Sequence, residues 1–85
     1  MSFIAKCFEN VHEILGIKVK PGTENKLLKE LKKAEEVSAI FTSLGDYDII
    51  VFLTIKDPNA VTQFIIDNIQ KREGVIDTKV IPIKK

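Results

Sequence analysis

The chain of 85 residues is poor in the residues from which disulfides, metal centres and many active sites are built. It contains one cysteine, Cys7, one histidine, His12, and no tryptophan. A single thiol excludes an internal disulfide and any zinc site made of cysteines, and it is typical of a reducing compartment. A nucleophile needs a base, and a metal needs several ligands, so we predict no catalytic residue, no metal and no cofactor.

An excess of one charge and long apolar runs are also missing. The chain has 13 basic and 12 acidic residues, a net charge of +1, and Arg72 as its only arginine. Nucleic-acid binding draws on surplus positive charge and on arginine, so direct DNA binding is not predicted. No segment is long and apolar enough to span a bilayer, and the first residues lack the pattern of a secretion signal. These absences predict a soluble cytoplasmic protein with no membrane partner.

The most apolar stretch that is present covers residues 49–55. A strand with one wet face alternates apolar and polar residues, whereas this one is apolar at both parities. A small chain has helices for one face of a sheet only, and oligomerisation commonly stabilises such domains. We therefore predict a dimer in which a second copy covers the other face. The pattern leaves the parity open, and we assign the contact to Ile49, Val51, Leu53 and Ile55.

The remaining patterns predict a single α+β domain over residues 13–85. The expected strands are 14–20, 37–43, 48–55 and 75–83, and the expected helices are 24–34 and one from Asp57 to about Gly74. Thr23 and Asp57 are the expected N-caps. The order βαββαβ predicts a ferredoxin-like fold, in which two helices cover one face of a four-stranded antiparallel sheet with the first and third strands central. Residues 1–12 fit either helical or strand spacing, and we expect a short helix or an irregular arm.

Short segments within this framework carry a family resemblance. They are the strand and turn at 18–22, the approach to the second strand at 35–39, the hairpin Gly45-Asp46-Tyr47-Asp48, and the opening of the last strand at 74–78. In this order they resemble the effector-binding (RAM) domain of the Lrp/AsnC transcriptional regulators. The resemblance runs from about Ile14 to the C-terminus.

The resemblance implies an assembly and a ligand. It implies dimers that pair through their sheets, assembly of the dimers into an octamer or decamer ring, and a free amino acid bound between dimers near the hairpin. Full-length members carry an N-terminal winged helix-turn-helix, and about a dozen residues before this domain are too few for one. We therefore expect a stand-alone sensor, which could modulate a full-length Lrp/AsnC-type regulator in trans.

The hairpin offers the chemistry that a free amino acid requires. Backbone amides of Gly45 and Asp46 suit its carboxylate, and the Asp48 carboxylate suits its ammonium. Tyr47 adds an aromatic ring and a hydroxyl, and Thr78 adds a small hydroxyl. The resemblance puts the family's pocket at Gly45, Tyr47 and Asp48. From the residues alone, however, Gly-Asp is more typical of a plain turn than of a ligand site, and Tyr47 of cross-strand packing. Asp48 leads into a buried strand, so its carboxylate needs a partner, which could be an amide, a lysine or a ligand.

Other function classes share the predicted topology. A small dimeric enzyme of the monooxygenase or isomerase type would need a polar cluster between helices and sheet, but the predicted helix stripes are aliphatic. An RNA-binding sheet would need exposed aromatics, for which Phe41 and Phe52 are candidates, together with a basic surround. The ACT domain, another amino-acid-binding fold of related topology, has no need of the hairpin motif.

Overall fold

The computed structural model describes residues 10–83, which form one sheet and two helices. The strands are β1 (Glu13–Val19), β2 (Val37–Thr42), β3 (Ile49–Leu53) and β4 (Val75–Pro82). The helices are α1 (Glu24–Leu31) and α2 (Pro58–Ile65), and α2 continues into a π-helical segment, Ile66–Gln70. The predicted order of elements is confirmed, and every strand end lies within two residues of its expected position. Residues 1–9 of the predicted arm lie outside the described residues.

The sheet is antiparallel throughout, with the strand order β2-β3-β1-β4. The first and third strands are central, as predicted. One core cluster joins β1 and β3 to both helices, through residues such as Leu15, Val51, Leu31 and Phe64. Both helices therefore cover the same face of the sheet, as the ferredoxin-like topology requires.

The parity assigned to the dimer contact needs correction. Ile49, Val51 and Leu53 are each 0% exposed within a single chain, because they point under the two helices into the core. Ile55 is half-buried and packs against the same core. Side chains that are already covered have no surface left for a second copy. Apolar residues at both parities correctly indicated that both faces of β3 are apolar. They did not indicate which of the two faces packs against the helices.

The opposite face of the sheet, which we call the open face, carries the side chains that alternate with the core set. Phe41 and Ile81 are 46% and 47% exposed there. The rings of Phe41 and Phe52 meet edge to face, with their centroids 5.4 Å apart. Among residues 10–83, the large apolar side chains of the open face are Ile14, Phe41, Ile50, Phe52 and Ile81.

The helix starts follow the sequence signals in one case and depart from them in the other. Asp57 caps α2, because its Oδ1 accepts a hydrogen bond of 3.1 Å from the amide of Asn59. Thr23 precedes α1 but makes no side-chain cap. Its hydroxyl donates instead to the carbonyl of Lys20 at 2.7 Å, which fixes the turn between β1 and α1. Thr23 is therefore the N-cap residue, as predicted, but its side chain does not bond to the helix.

Candidate functional site

The loop between β2 and β3 holds most of the predicted ligand residues. It is closed by a hydrogen bond of 2.8 Å from the amide of Ser43 to the carbonyl of Asp48. Gly45 and Asp46 are exposed at its tip. The Gly45 amide donates to the Ser43 hydroxyl oxygen at 3.2 Å, whereas the Asp46 amide has no hydrogen-bond partner among residues 10–83. Of the two amides predicted to meet a carboxylate, that of Asp46 is therefore the more available.

Asp48 ties this loop to the central strand β1. Its Oδ2 accepts a hydrogen bond of 2.9 Å from the amide of Val19, and its own amide donates to the carbonyl of Ile17 at 2.9 Å. The register between β1 and β4 shifts by one residue between Lys18 and Val19. The carboxylate therefore satisfies an amide beside an irregular point of the ladder. Its Oδ1 makes no hydrogen bond within residues 10–83 and stays available to a ligand.

Tyr47 crosses the open face from the loop to the edge strand β4. A Cβ built on Gly16 would lie 3.0 Å from Tyr47 Cγ, so the ring sits directly on the backbone of β1. The tyrosine hydroxyl donates to Asp77 Oδ2 across 3.4 Å. Desolvation of the half-buried ring, followed by the negative charge of Asp77, raises the pKa of Tyr47 above its ordinary value.

Thr78 does not join the other predicted ligand residues. It pairs with Ile17, whose side chain lies in the core, so Thr78 stands on the helix side of the sheet. Tyr47 lies on the opposite side. The neighbouring Asp77 reaches the hairpin instead, and sequence reasoning missed it. The signal was the strand alternation, because Asp77 pairs with Lys18, which has the same parity as Gly16.

The corner that results is acidic. Asp77 and Asp46 act on the Tyr47 side chain, Asp48 follows it in the chain, and the exposed Lys18 lies opposite Asp77 in the ladder. An excess of carboxylates favours a cationic group such as an ammonium. Among residues 10–83, no group of three or more histidine, cysteine, aspartate or glutamate side chains is arranged to hold a metal ion.

The hairpin corner lies outside two clefts formed by residues 10–83. One cleft, of about 400 Å³, lies at the start of α1 and is lined by residues that include Thr23, Lys26 and Arg72. The other, of about 410 Å³, lies along α2 beside Glu36 and Phe64. None of the predicted ligand residues lines either cleft. In one chain the corner is a surface feature, and an enclosed site there needs walls from another subunit.

The space between helices and sheet bears on the enzyme alternative. Among residues 10–83, the buried side chains there are aliphatic or aromatic, with the exception of Glu13, which is 6% exposed. Glu13 Oε2 has no hydrogen-bond partner among residues 10–83. A catalytic pocket usually needs more polar groups than one carboxylate.

No helix within the described part of the chain is long and apolar enough to cross a membrane.

Sheet order and helix placement define a ferredoxin-like α+β domain, with the hairpin corner as a candidate site at one end of its sheet. Comparison with known proteins identifies the family. The chain belongs to the Lrp/AsnC ligand binding domain family, whose model matches residues 13–85. The resemblance seen in the sequence is thereby confirmed.

Individual relatives agree with this family. The HTH-type transcriptional regulator Ptr1 of Methanocaldococcus jannaschii is 28% identical over 67 residues, which are 79% of this chain and 45% of that protein. The chain spans about half the length of the curated relatives it matches. The matched family is a ligand-binding domain and the relatives are regulators, which indicates a regulatory rather than an enzymatic family.

Solved structures share the fold. The crystal structure of FFRP-DM1 superposes with a TM-score of 0.78 at 23% identity, over 87% of this chain and 99% of that one. The complex of the transcriptional regulator NMB0573 with L-Met, from Neisseria meningitidis, gives a TM-score of 0.79 at 19% identity. It covers 88% of this chain and 50% of that one. At these identities the likeness establishes the fold.

Proposed function

We propose that the chain is a non-catalytic sensing and oligomerisation domain that binds a free amino acid beside the Gly45–Asp48 hairpin. The observation that carries the proposal is the acidic corner at Tyr47 within a domain of the Lrp/AsnC ligand-binding family. The L-Met complex of a regulator with the same fold supports an amino acid as the ligand class.

Each end of the amino acid has a complementary group at this corner. The free Oδ1 of Asp48 and the carboxylate of Asp77 are acceptors for the ammonium. The Asp46 amide is a donor for the carboxylate, and the Tyr47 ring gives the ligand side chain an apolar wall. Thr78 faces the helices, so Asp77 replaces it in the proposed contact set.

The open face supports the dimer part of the proposal. Phe41 and Ile81 are more than two-fifths exposed there, and both helices pack on the other face of the sheet. A second copy that packs its own open face against this one would remove both layers from water. The dimer contact moves accordingly from Ile49, Val51 and Leu53 to Ile14, Ile50 and Phe52 and their neighbours.

Sensing follows from linkage between ligand and assembly. An amino acid held between two dimers stabilises the assembled state that holds it, so its concentration shifts the assembly equilibrium. The same sheets could join a full-length Lrp/AsnC-type regulator, which would put the domain's effect on transcription in trans. We place these events in the cytoplasm, where free amino acids and regulators meet, and we keep an octamer or decamer ring as the expected assembly.

A thermal-shift screen of the twenty amino acids tests the ligand, and light scattering with and without each hit tests the assembly. We expect at least one amino acid to raise the melting temperature and the mean mass together. Asp77→Asn should remove the shift, whereas the matched change Asp67→Asn in the π-helical segment after α2, far from the hairpin, should retain it. If no amino acid changes melting temperature or mass, the sensor function is wrong.

A further inference from the structure

The cleft at the start of α1 collects positive charge and takes no part in the proposed amino-acid site. Its volume of about 400 Å³ lies within the range of small-molecule pockets. Three of its lining residues are basic, Lys26, Lys71 and Arg72, and one, Glu73, is acidic. The whole chain has a surplus of only one positive charge, whereas this lining alone has a surplus of two. A cleft lined by one sign of charge attracts ligands of the opposite sign.

Close packing of two turns holds the walls of this cleft together. One wall is the turn between β1 and α1 with the first turn of α1, and the other is the connection that leads into β4. The amide of Lys20 donates to the carbonyl of Gly74 at 2.7 Å. A Cβ on Gly74 would lie 2.9 Å from Thr23 Oγ1, so the absence of a side chain permits this approach. The two walls are therefore in contact before any ligand binds.

Both lysines of the cleft have an ammonium group that is available to a ligand. Lys26 lies on α1, Lys71 follows the π-helical segment, and both residues are exposed. Among residues 10–83, neither ammonium forms an ion pair, because the ion pair within this part of the chain joins Arg72 to Glu30. Each lysine can therefore turn towards a bound anion without breaking an ion pair of these residues.

Arg72, in contrast, is held in place. Its Nε donates to the carbonyl of Asn68 at 2.8 Å, and its Nη2 lies 3.8 Å from Glu30 Oε2. These contacts orient the guanidinium, while Nη1 has no hydrogen-bond partner among residues 10–83. An oriented guanidinium with free N–H groups is a preferred partner of phosphate and carboxylate oxygens.

The cleft also has an apolar part. Val19 and Leu27 line it, and they are 5% and 4% exposed. Small-molecule pockets typically combine such apolar walls with a few charged groups that fix the orientation of the ligand. Glu24, an acidic residue at the start of α1, lies outside the lining and accepts from the Gly22 amide at 3.2 Å. The lining therefore suits a molecule with an anionic group and a small carbon body.

We propose that this cleft binds a small organic phosphate. Lys26, Lys71 and Arg72 hold the phosphate group, and its carbon body lies against Val19 and Leu27. A phosphate monoester carries a charge of about −1.5 to −2 at neutral pH, close to the positive surplus of the lining. Its oxygens accept charge-assisted hydrogen bonds from the ammonium and guanidinium groups. The site shares no residue with the hairpin corner, so it goes beyond the proposed sensing function and stands without it.

Phosphorus NMR tests the site, with phenyl phosphate as the probe and the ionic strength held constant. We expect the wild-type chain to shift and broaden the phosphorus resonance. The double variant K26Q/K71Q removes two exposed ammonium groups and should weaken binding by about tenfold or more. The matched double variant K33Q/K56Q removes the same charge from exposed positions outside the cleft, and it should bind as the wild type does.

Lysine acetylation locates the site in the wild-type chain without any substitution. Phenyl phosphate should protect Lys26 and Lys71 from an amine-reactive acetylating reagent, whereas Lys33 and Lys56 should react equally with and without the probe. Mass spectrometry of the digested protein measures the extent of reaction at each lysine. Equal protection of all four lysines would show that the probe has no preference for the cleft, and the proposal would be wrong.

Other results also overturn the phosphate site. An unchanged phosphorus resonance with the wild type shows that the probe does not bind. Equal weakening in the two double variants shows that net charge, rather than the cleft, attracts it. Displacement of the probe by an equal concentration of succinate shows that the cleft does not select phosphate over carboxylate. None of these results involves an amino acid, so sensing is judged by the thermal-shift screen alone.

Discussion

The ring of Tyr47 rests on Gly16 so closely that a Cβ on Gly16 would lie 3.0 Å from Tyr47 Cγ and 3.3 Å from Cδ2. Gly16 lies in the middle of the central strand β1, where any side chain on the open face would displace the ring. The position of the Tyr47 ring in the hairpin corner thus depends on the absence of a side chain at Gly16, in the neighbouring strand. A glycine inside a strand often marks such a close approach.

Replacing Gly16 by alanine should disturb this contact. We expect Gly16→Ala to lower the free energy of unfolding by about 1–3 kcal/mol, because the Tyr47 ring, which is bonded to Asp77, would have to move by a few tenths of an ångström to admit the methyl group. Urea denaturation measures the change. Gly45→Ala is the control, because its Cβ would meet only Ser43 Oγ at 3.6 Å and should change stability by no more than about 0.5 kcal/mol. Equal losses for the two variants would contradict the contact.

A second glycine pair separates backbone strain from side-chain collision. Gly22 and Gly74 both have positive φ, at 92° and 94°, but only the Cβ of Gly74 would meet an atom, Thr23 Oγ1 at 2.9 Å. Gly22→Ala should cost about 1 kcal/mol for the left-handed conformation. Gly74→Ala should cost about 2–4 kcal/mol because the collision adds to the strain. Chemical denaturation of both variants checks the difference, and a smaller loss for Gly74→Ala would be against it.

The hydrogen bond from the Val19 amide to Asp48 should stabilise the fold as well as shape the site. Asp48→Ala leaves a half-buried amide without its acceptor, and we expect a loss of about 1–3 kcal/mol in unfolding free energy. Asp48→Asn keeps an acceptor oxygen and should lose less. Denaturant titrations of the two variants supply the comparison. An alanine variant as stable as the wild type would show that the bond contributes nothing.

Ionisation of Tyr47 reports on its neighbours. Tyr47 is the only tyrosine, so the ultraviolet absorbance of tyrosinate follows one group. Burial and Asp77 raise its pKa from 10.0, so Asp77→Asn should move the titration midpoint downwards, towards that value. The raised pKa stabilises the fold below pH 10, and this contribution is lost as the pH rises through the folded-state pKa. An unchanged titration midpoint in Asp77→Asn would show that Asp77 does not interact with the Tyr47 hydroxyl.

A charge on the open face should prevent dimer formation. Ile50→Lys places an ammonium in the middle of the apolar layer, and we expect sedimentation to show monomers at concentrations where the wild type is dimeric. Ile66→Lys is the control, since Ile66 is 39% exposed beyond the C-terminal end of α2, away from this layer. If Ile50→Lys still forms dimers, the open face is not the dimer interface.

The spacing of apolar residues and the turn and capping residues were enough to predict the order of the helices and strands. The turn signals at Gly22, Asp57 and Gly74 divide the chain correctly, and the apolar β3 marks a central strand. Parity was beyond this reasoning, because Ile49 and Ile50 are chemically identical and only the packed helices distinguish them. The choice of Thr78 over Asp77 failed for a related reason. The side to which a residue of β4 points depends on its pairing with β1, including the shift at Val19.

The sequence also left the roles of the hairpin residues undecided. Asp48 was a candidate both for a ligand and for an internal amide, and the fold gives one carboxylate oxygen to Val19 and leaves the other free. Gly45 resembled a turn glycine with positive φ, but among residues 10–83 only Gly22 and Gly74 have that conformation. Long-range register, rather than local propensity, determined both outcomes.

Because Tyr47 packs on Gly16 in the hairpin corner, its fluorescence is an intrinsic reporter of that corner. With no tryptophan in the chain, ultraviolet-excited emission comes almost entirely from this one phenol. A molecule arriving at the corner would change the polarity and the quenching around that fluorophore, and unlabelled protein could be followed in a stopped-flow cuvette.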